Sequence, residues 1–561
     1  MRFLIWISLL FISANIFAQT NPDLLKLYED FRDWRIVTQP VAGDDIPRVE
    51  RPAGWTPDFS PKALENHREK YNEFRKKLDA LPKTGWTRED SVDFLCLSAM
   101  LERVNWELNV LRQPHRNPDF YVHQTLGSVY ELLLISSPMT DERVNEIIIR
   151  LNSFHKTVDA AKANLTEGIR PFAEIALDNI GDVMTKMDVL FTKLSEITSN
   201  KYRSKILKAT DNAAAALLSY TSWLKKNRLK MSDKFSVGRE NYVYFLKNVA
   251  LIPYSPETLL AQGQQEWQRA VAFETFEKLR NSAVPEPAIF PGTEAQIEQA
   301  KKDEQAIRDF IEAKNIMSVP DWLQHYLNRP VPEYLAPFTN MGVVDDLTSE
   351  MRLDENGISY IPEPSRDLSY FNLSRAIDPR PLIVHEGVPG HYFQMAISWK
   401  NPRPIRRAYI DSGANEGIGF YVEEMMHQFG LFDDRPKTRE IIYNFMRLRA
   451  LRVEVDIRLA LGTFSIHQAG EYLAKTVPMD VATAVQEAGF FAYNPGQAIT
   501  YQIGKLQIIK LLSDAKILQK ENFDLRKFHD YLMLNGNVPI ALLRWEYLGL
   551  DDEIQQFFKS E

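Results

Sequence analysis

The segment Val384-His385-Glu386-Gly387-Val388-Pro389-Gly390-His391 sets two imidazoles and a carboxylate side by side behind an apolar lead-in, Pro381-Leu382-Ile383-Val384. Those residue types are what hydrolysis at a metal ion requires. A catalytic zinc takes a few neutral imidazole or carboxylate ligands and keeps one position open for water. A nearby carboxylate then takes the proton when that water attacks a carbonyl. His385 and His391 are the candidate ligands and Glu386 the candidate base.

Paired zinc histidines commonly stand four residues apart on one helical face, whereas these two stand six apart. At ~100° per residue, six steps leave the second imidazole roughly 120° from the first, against roughly 40° for four steps. A regular helix does not bring them together. Pro389 has no amide hydrogen to give to the His385 carbonyl, and its ring crowds that carbonyl. Gly387 and Gly390 accept unusual backbone angles without steric cost. The spacing therefore predicts a bulged or kinked turn that absorbs two extra residues and restores convergence. A lone histidine on an apolar helix is usually a satisfied core residue, and a Pro-Gly pair is usually only a turn. Two histidines, an adjacent glutamate and a chain break together favour a metal site.

The motif resembles the signature of the bacterial family known as domain of unknown function 885, grouped with the zincin-like metallopeptidases. Downstream, Glu416-Gly417-Ile418-Gly419-Phe420-Tyr421-Val422-Glu423 is similar to that family's Glu-Gly-Trp-Ala-x-Tyr-x-Glu segment. Arg449, Arg452 and Asp456 match an Arg-x-x-Arg-x-x-x-Asp helix, and Pro495 to Gly504 matches a C-terminal motif. The likeness is strong from Pro381 to Leu512 and diffuse before it. It implies Glu416 as third ligand of a single Zn²⁺, in the gluzincin manner. Glu416 also reads as an ordinary acidic residue in a helix's first turn, after the possible caps Asp411, Ser412 and Asn415. Glu423, seven residues on, is the rival ligand or a support for one.

Gln497 and Tyr501 are spaced i and i+4, so a helix there would point both into one cleft. In zincins of this type a tyrosine often donates to the oxyanion, which makes Tyr501 the candidate for that role. A tyrosine buried at its ring and satisfied at its hydroxyl is the competing reading. Arg452 and Asp456 are one turn apart and can pair without any function. The resemblance makes them supports that orient a ligating histidine. Two departures from the family pattern, Ile418 in place of tryptophan and no histidine shortly after Asp456, touch no proposed ligand.

The elements that must position these groups are helical. Segments Leu64 to Leu81, Ser91 to Leu111, Asp141 to Ala163, Ile169 to Thr198 and Glu294 to Ala313 carry spaced apolar residues among Glu, Lys, Ala and Arg. The expected class is mainly α, a large multi-helix zincin-like architecture with a small β-element at Gly357 to Ile361. By analogy with zincin-like enzymes that element would be an edge strand on which an extended peptide pairs. Tyr360, Arg366, Tyr370 and Asn372 either line the cleft or sit on an exposed loop. Asn281 to Gly292 reads as a long loop and Val319 to Pro337 as a second proline-rich passage. The expected division is a signal peptide at 1–18, an N-terminal helical half at 19–250, and a C-terminal half at 251–561 carrying the site.

Met1-Arg2, the apolar run Phe3 to Phe17 and the small Ala18 before Gln19 have the form of a secretory signal peptide, so a secreted or periplasmic location is expected. The run is too short for a convincing membrane span, and no cysteine near the cleavage point suggests a lipid anchor. The single cysteine, Cys96, forms no internal disulfide and has apolar neighbours that suggest a buried thiol. With 561 residues, 45% of them hydrophobic, the chain can build a large core. A net charge of −8, spread along the sequence, gives no electrostatic footprint for nucleic acid.

Together these readings describe a zinc metallopeptidase, a carboxypeptidase or oligopeptidase, that hydrolyses short peptides. The other readings are a zinc hydrolase of another amide or ester and a non-catalytic peptide-binding protein.

Overall fold

In the computed structural model, residues 20–42, 48–408, 412–477 and 479–555 are described; the expected signal peptide and Asp411 lie outside them. Several helices start where the sequence supplies caps. Thr87 and Asp90 form a reciprocal capping box at the head of Arg88–Asn105, and Ser60-Pro61 and Ser255-Pro256 open Pro61–Asp79 and Pro256–Arg280. The class is mainly α, as expected.

Most of the expected helices are present, with one division. Ile169 to Thr198 is two helices, Arg170–Ile180 and Val183–Ile197. Gly181 takes a φ of 58°, which ends the first, and the Asp182 side chain accepts from Thr185 N at 3.2 Å to cap the second. Apolar periodicity on both sides masked this Gly-Asp break.

In the N-terminal half, Asp141–Asn164 packs on Arg203–Asn227, which also packs on Val183–Ile197. In the C-terminal half, Pro256–Arg280 lies along Pro436–Ala460, and Ser412–Gln428 lies along Thr500–Gln519. One hydrophobic cluster takes in both halves, joining Tyr28, Leu97 and Phe154 to Ile383, Phe420 and Leu532. Cys96 is buried within it. Among the described residues no helix is long and apolar enough to cross a membrane.

Three strands form the one small sheet described: β1 (Tyr326–Pro330), β2 (Asp345–Asp346) and β3 (Gly357–Ile361), in the order β1-β3-β2. The expected β-element is therefore the central strand, parallel to β1 and antiparallel to β2, and not an edge. β1 falls inside the proline-rich passage that reads as loop. Its outer side is also covered, since Glu304 Oε1 accepts from Tyr326 N at 3.2 Å and Arg308 donates to the carbonyls of Leu323 and Gln324. The loop Asn281 to Gly292 is present and tied down by Phe290 N donating to Ala376 O at 3.1 Å.

Candidate metal centre

The six-residue spacing between the histidines is resolved by a wide turn followed by a restart. Ile383–Gly387 forms a π-type turn closed by Val388 N donating to Ile383 O at 2.9 Å, and a new helix runs from His391 to Ser398. Crowding demands both glycines, by backbone at Gly390 and by a tyrosine ring at Gly387. A Cβ on Gly390 would lie 1.8 Å from the His385 carbonyl oxygen, and one on Gly387 would lie 2.3 Å from the Tyr326 ring. The predicted break is therefore the device that points both imidazoles one way; their ring centroids are 4.8 Å apart.

Glu416 comes from the facing helix Ser412–Gln428. Its Oε2 lies 3.4 Å from His385 Nε2 and 3.4 Å from His391 Nε2, and one donor atom from each of the three residues falls within 4.8 Å of the others. For ligands about 2.0–2.1 Å from a tetrahedral zinc, the ligand–ligand edge is about 3.3–3.4 Å. Two edges of the cluster match that length. All three side chains are buried, and Glu416 Oε2 has no hydrogen-bond partner among the described residues. A buried carboxylate oxygen left without a partner between two imidazole nitrogens fits a cation and is costly without one. Gly419 makes room for this meeting, because a Cβ there would lie 2.8 Å from His385 Cε1 and 2.9 Å from His391 Cε1.

Glu423 stands behind the cluster. His385 Nδ1 lies 2.6 Å from Glu423 Oε1 and 3.4 Å from Arg449 Nη2, while its Nε2 faces Glu416. Arg449 grips Glu423 through both terminal nitrogens, at 2.8 Å each. Glu423 thus sits against the Nδ1 side of His385, and Arg449 holds Glu423 in place. Burial and the Arg449 charge pull the His385 imidazole down, but the Glu423 and Glu416 carboxylates outweigh them and hold it up at about 9. Burial raises the Glu416 carboxyl, and the two imidazoles beside it hold it well below the usual carboxylate range.

Glu386, half-buried at the end of the π-type turn, faces the sheet. Its charge, after burial itself, is what pushes buried Asp345 on β2 up to about 6. Asp345 carries no motif, and only the pairing of β2 with β3 brings it here.

Tyr501 stacks on His385 with ring centroids 6.3 Å apart at 15°, under the Arg452 guanidinium at 4.7 Å. The helix begins at Thr500, so Gln497 sits in the preceding turn and does not share a helical face with Tyr501. Arg452 and Asp456 do not pair and touch neither histidine. Arg452 pairs with Glu487, and Asp456 accepts from Tyr242 Oη at 3.0 Å, Gly496 N at 2.9 Å and Ala498 N at 2.8 Å. Asp456 therefore fixes the loop that leads into Tyr501. Of the proposed cleft residues, Tyr360 is buried, Tyr370 bonds to Asn444, and Arg366 is exposed and donates to Pro287 O at 3.2 Å.

The model of a bacterial protein family of unknown function, DUF885, matches residues 43–546. No curated protein matches. Two solved structures share the fold. A proposed lipoprotein of unknown function from Shewanella oneidensis aligns with a TM-score of 0.69 at 15% identity, covering 94% of this chain and 99% of that one. A proposed lipoprotein from Colwellia psychrerythraea aligns with a TM-score of 0.72 at 17% identity, covering 93% of this chain and 97% of that one.

Proposed function

We propose, from the premise that the chain belongs to the bacterial DUF885 family, that it is a zinc-dependent metallopeptidase acting on short peptides outside the cytoplasm. The observation that carries the reading is the buried His385, His391, Glu416 cluster, with Glu386 following His385 in the sequence. A zinc ion held by those three residues would supply Lewis acidity and lower the pKa of water. In this reading Glu386 takes a proton from the attacking water and returns it to the leaving amine. Tyr501, stacked on His385 and held by Arg452, is the donor for the oxyanion. Glu423 and Arg449 keep the His385 ring in the ligating tautomer. The basic-then-apolar N-terminus supports export, and two solved structures of the same fold are described as proposed lipoproteins.

The test is elemental analysis of the purified full chain with hydrolysis of a mixed short-peptide library, with and without a chelator. One zinc per chain and chelator-sensitive cleavage are expected. Zinc without peptide cleavage would move the reading to another amide or ester, and absence of bound metal would overturn it.

A further inference from the structure

A half-enclosed cavity of about 440 Å³ lies between the helices Pro22–Thr38 and Arg88–Asn105 on one side and the segments around Trp399 and Tyr493 to Thr500 on the other. None of His385, Glu386, His391, Glu416 and Tyr501 lines it; it is tied to the cluster through Thr500, the residue before Tyr501, and through Arg48, which donates to the Asp345 carbonyl at 2.8 Å on the strand that faces Glu386. In a chain of net charge −8, the cavity is lined by five arginines and three glutamates. That local excess of positive charge favours an anionic guest.

The five guanidiniums are not equivalent. Arg35 pairs with Glu107 at 2.6 Å, Arg32 with Asp33 at 3.0 Å, Arg407 lies 3.5 Å from Glu350, and Arg48 is spent on backbone carbonyls. Arg103 has no ion-pair or hydrogen-bond partner for its guanidinium among the described residues; the Phe245 ring centroid lies 5.6 Å from its central carbon. Phe245 in turn packs on Trp106 with ring centroids 5.0 Å apart. A half-buried guanidinium over an aromatic wall presents its planar fork to the cavity, and that fork matches a carboxylate.

Resting on the peptidase reading, we infer that Arg103 binds the free C-terminal carboxylate of a peptide substrate, with an apolar last side chain against Trp106 and Phe245. Charge-assisted hydrogen bonds of this kind correspond to about 30-fold in affinity. The site selects chain ends. Internal acidic side chains carry the same chemistry and are separated from it by experiment.

Calorimetry on the full-length Glu386→Gln protein reads binding without turnover. The probes are Ala-Ala-Ala-Phe, its C-terminal amide, and the amidated pair Ala-Ala-Asp-Phe and Ala-Ala-Asn-Phe. The free acid is expected to bind about 30-fold more tightly than its amide, with the difference erased by Arg103→Gln and partly kept by Arg103→Lys. Unchanged metal content in both variants verifies their fold. Equal binding of acid and amide, a preference that survives Arg103→Gln, or no binding of any probe would overturn the assignment. So would an Arg103-dependent preference for the amidated Asp peptide equal to that for the free acid. Carboxylate-selective binding without chelator-sensitive hydrolysis by wild type would keep the site and sink the peptidase reading; hydrolysis without selectivity would do the reverse.

Discussion

At the residue scale, the glutamates of the centre separate by substitution. Glu416→Ala is expected to lose the metal, because among the described residues it removes the one carboxylate whose oxygen sits 3.4 Å from both imidazole nitrogens. Glu386→Gln is expected to retain metal and lose turnover by about 10²–10⁴-fold, the usual worth of a general base. Glu423→Gln should fall between. It leaves all three ligands and weakens the hold on His385, so metal affinity should drop about 10–100-fold in competition with a chelator. If Glu423→Gln instead abolished binding as Glu416→Ala does, the assignment of the two would be reversed. His385, Glu386 and His391 were legible because ligand types and break residues are adjacent in sequence. Arg449 was legible only as a motif position; its hold on Glu423 depends on two helices meeting, which spacing alone does not encode.

At the scale of elements, the helices carrying Glu416 and Tyr501 meet backbone to backbone. A Cβ on Gly504 would lie 2.0 Å from the Gly413 carbonyl oxygen and 2.7 Å from Gly417 Cα. Gly504→Ala should therefore cost about 1–3 kcal/mol by overpacking. It should also displace Tyr501 relative to Glu416, lowering turnover more than metal content. A melting curve and a metal assay on the same variant test both. Gly417 and Gly504 stood in the sequence motifs and Gly413 did not, and their shared reason, a helix crossing with no side chain between, appears only when the helices are paired. The same limit explains β1. Tyr326-Leu327-Asn328-Arg329-Pro330 has weak strand character, and its ladder to Gly357–Ile361 is a long-range contact that no local pattern signals. The break at Gly181-Asp182 was different: its turn and cap residues were visible, and the apolar pattern on each side outweighed them.

At the scale of the whole molecule, buried histidines set an acid limit. Burial pulls His427 and His529 down to about 4, and both are nearly inaccessible. Each ring is neutral in the folded protein, while the unfolded chain takes up protons below about 6.5. Their contribution is therefore complete above about pH 6.5 and is lost as pH falls through about 4, at most about 3 kcal/mol per ring. Melting temperature should decline across that window, and His529→Gln should flatten the decline. An unchanged profile in the variant would remove His529 from the account. The anionic preference of the large cavity also belongs to this scale. Arg32, Arg35 and Arg103 come from the first helices of the chain and face segments several hundred residues later, so no sequence window contains the cavity.

Cys96, the chain's one thiol, is sealed in the shared hydrophobic cluster. The described protein is therefore covalently an unbranched thread, with no cross-link to form, shuffle or break. Its recovery from denaturant should be the same in glutathione buffers of any poise, provided the metal is supplied equally. A yield that depended on the oxidant would mean that Cys96 is trapped in intermolecular dimers before the cluster closes over it.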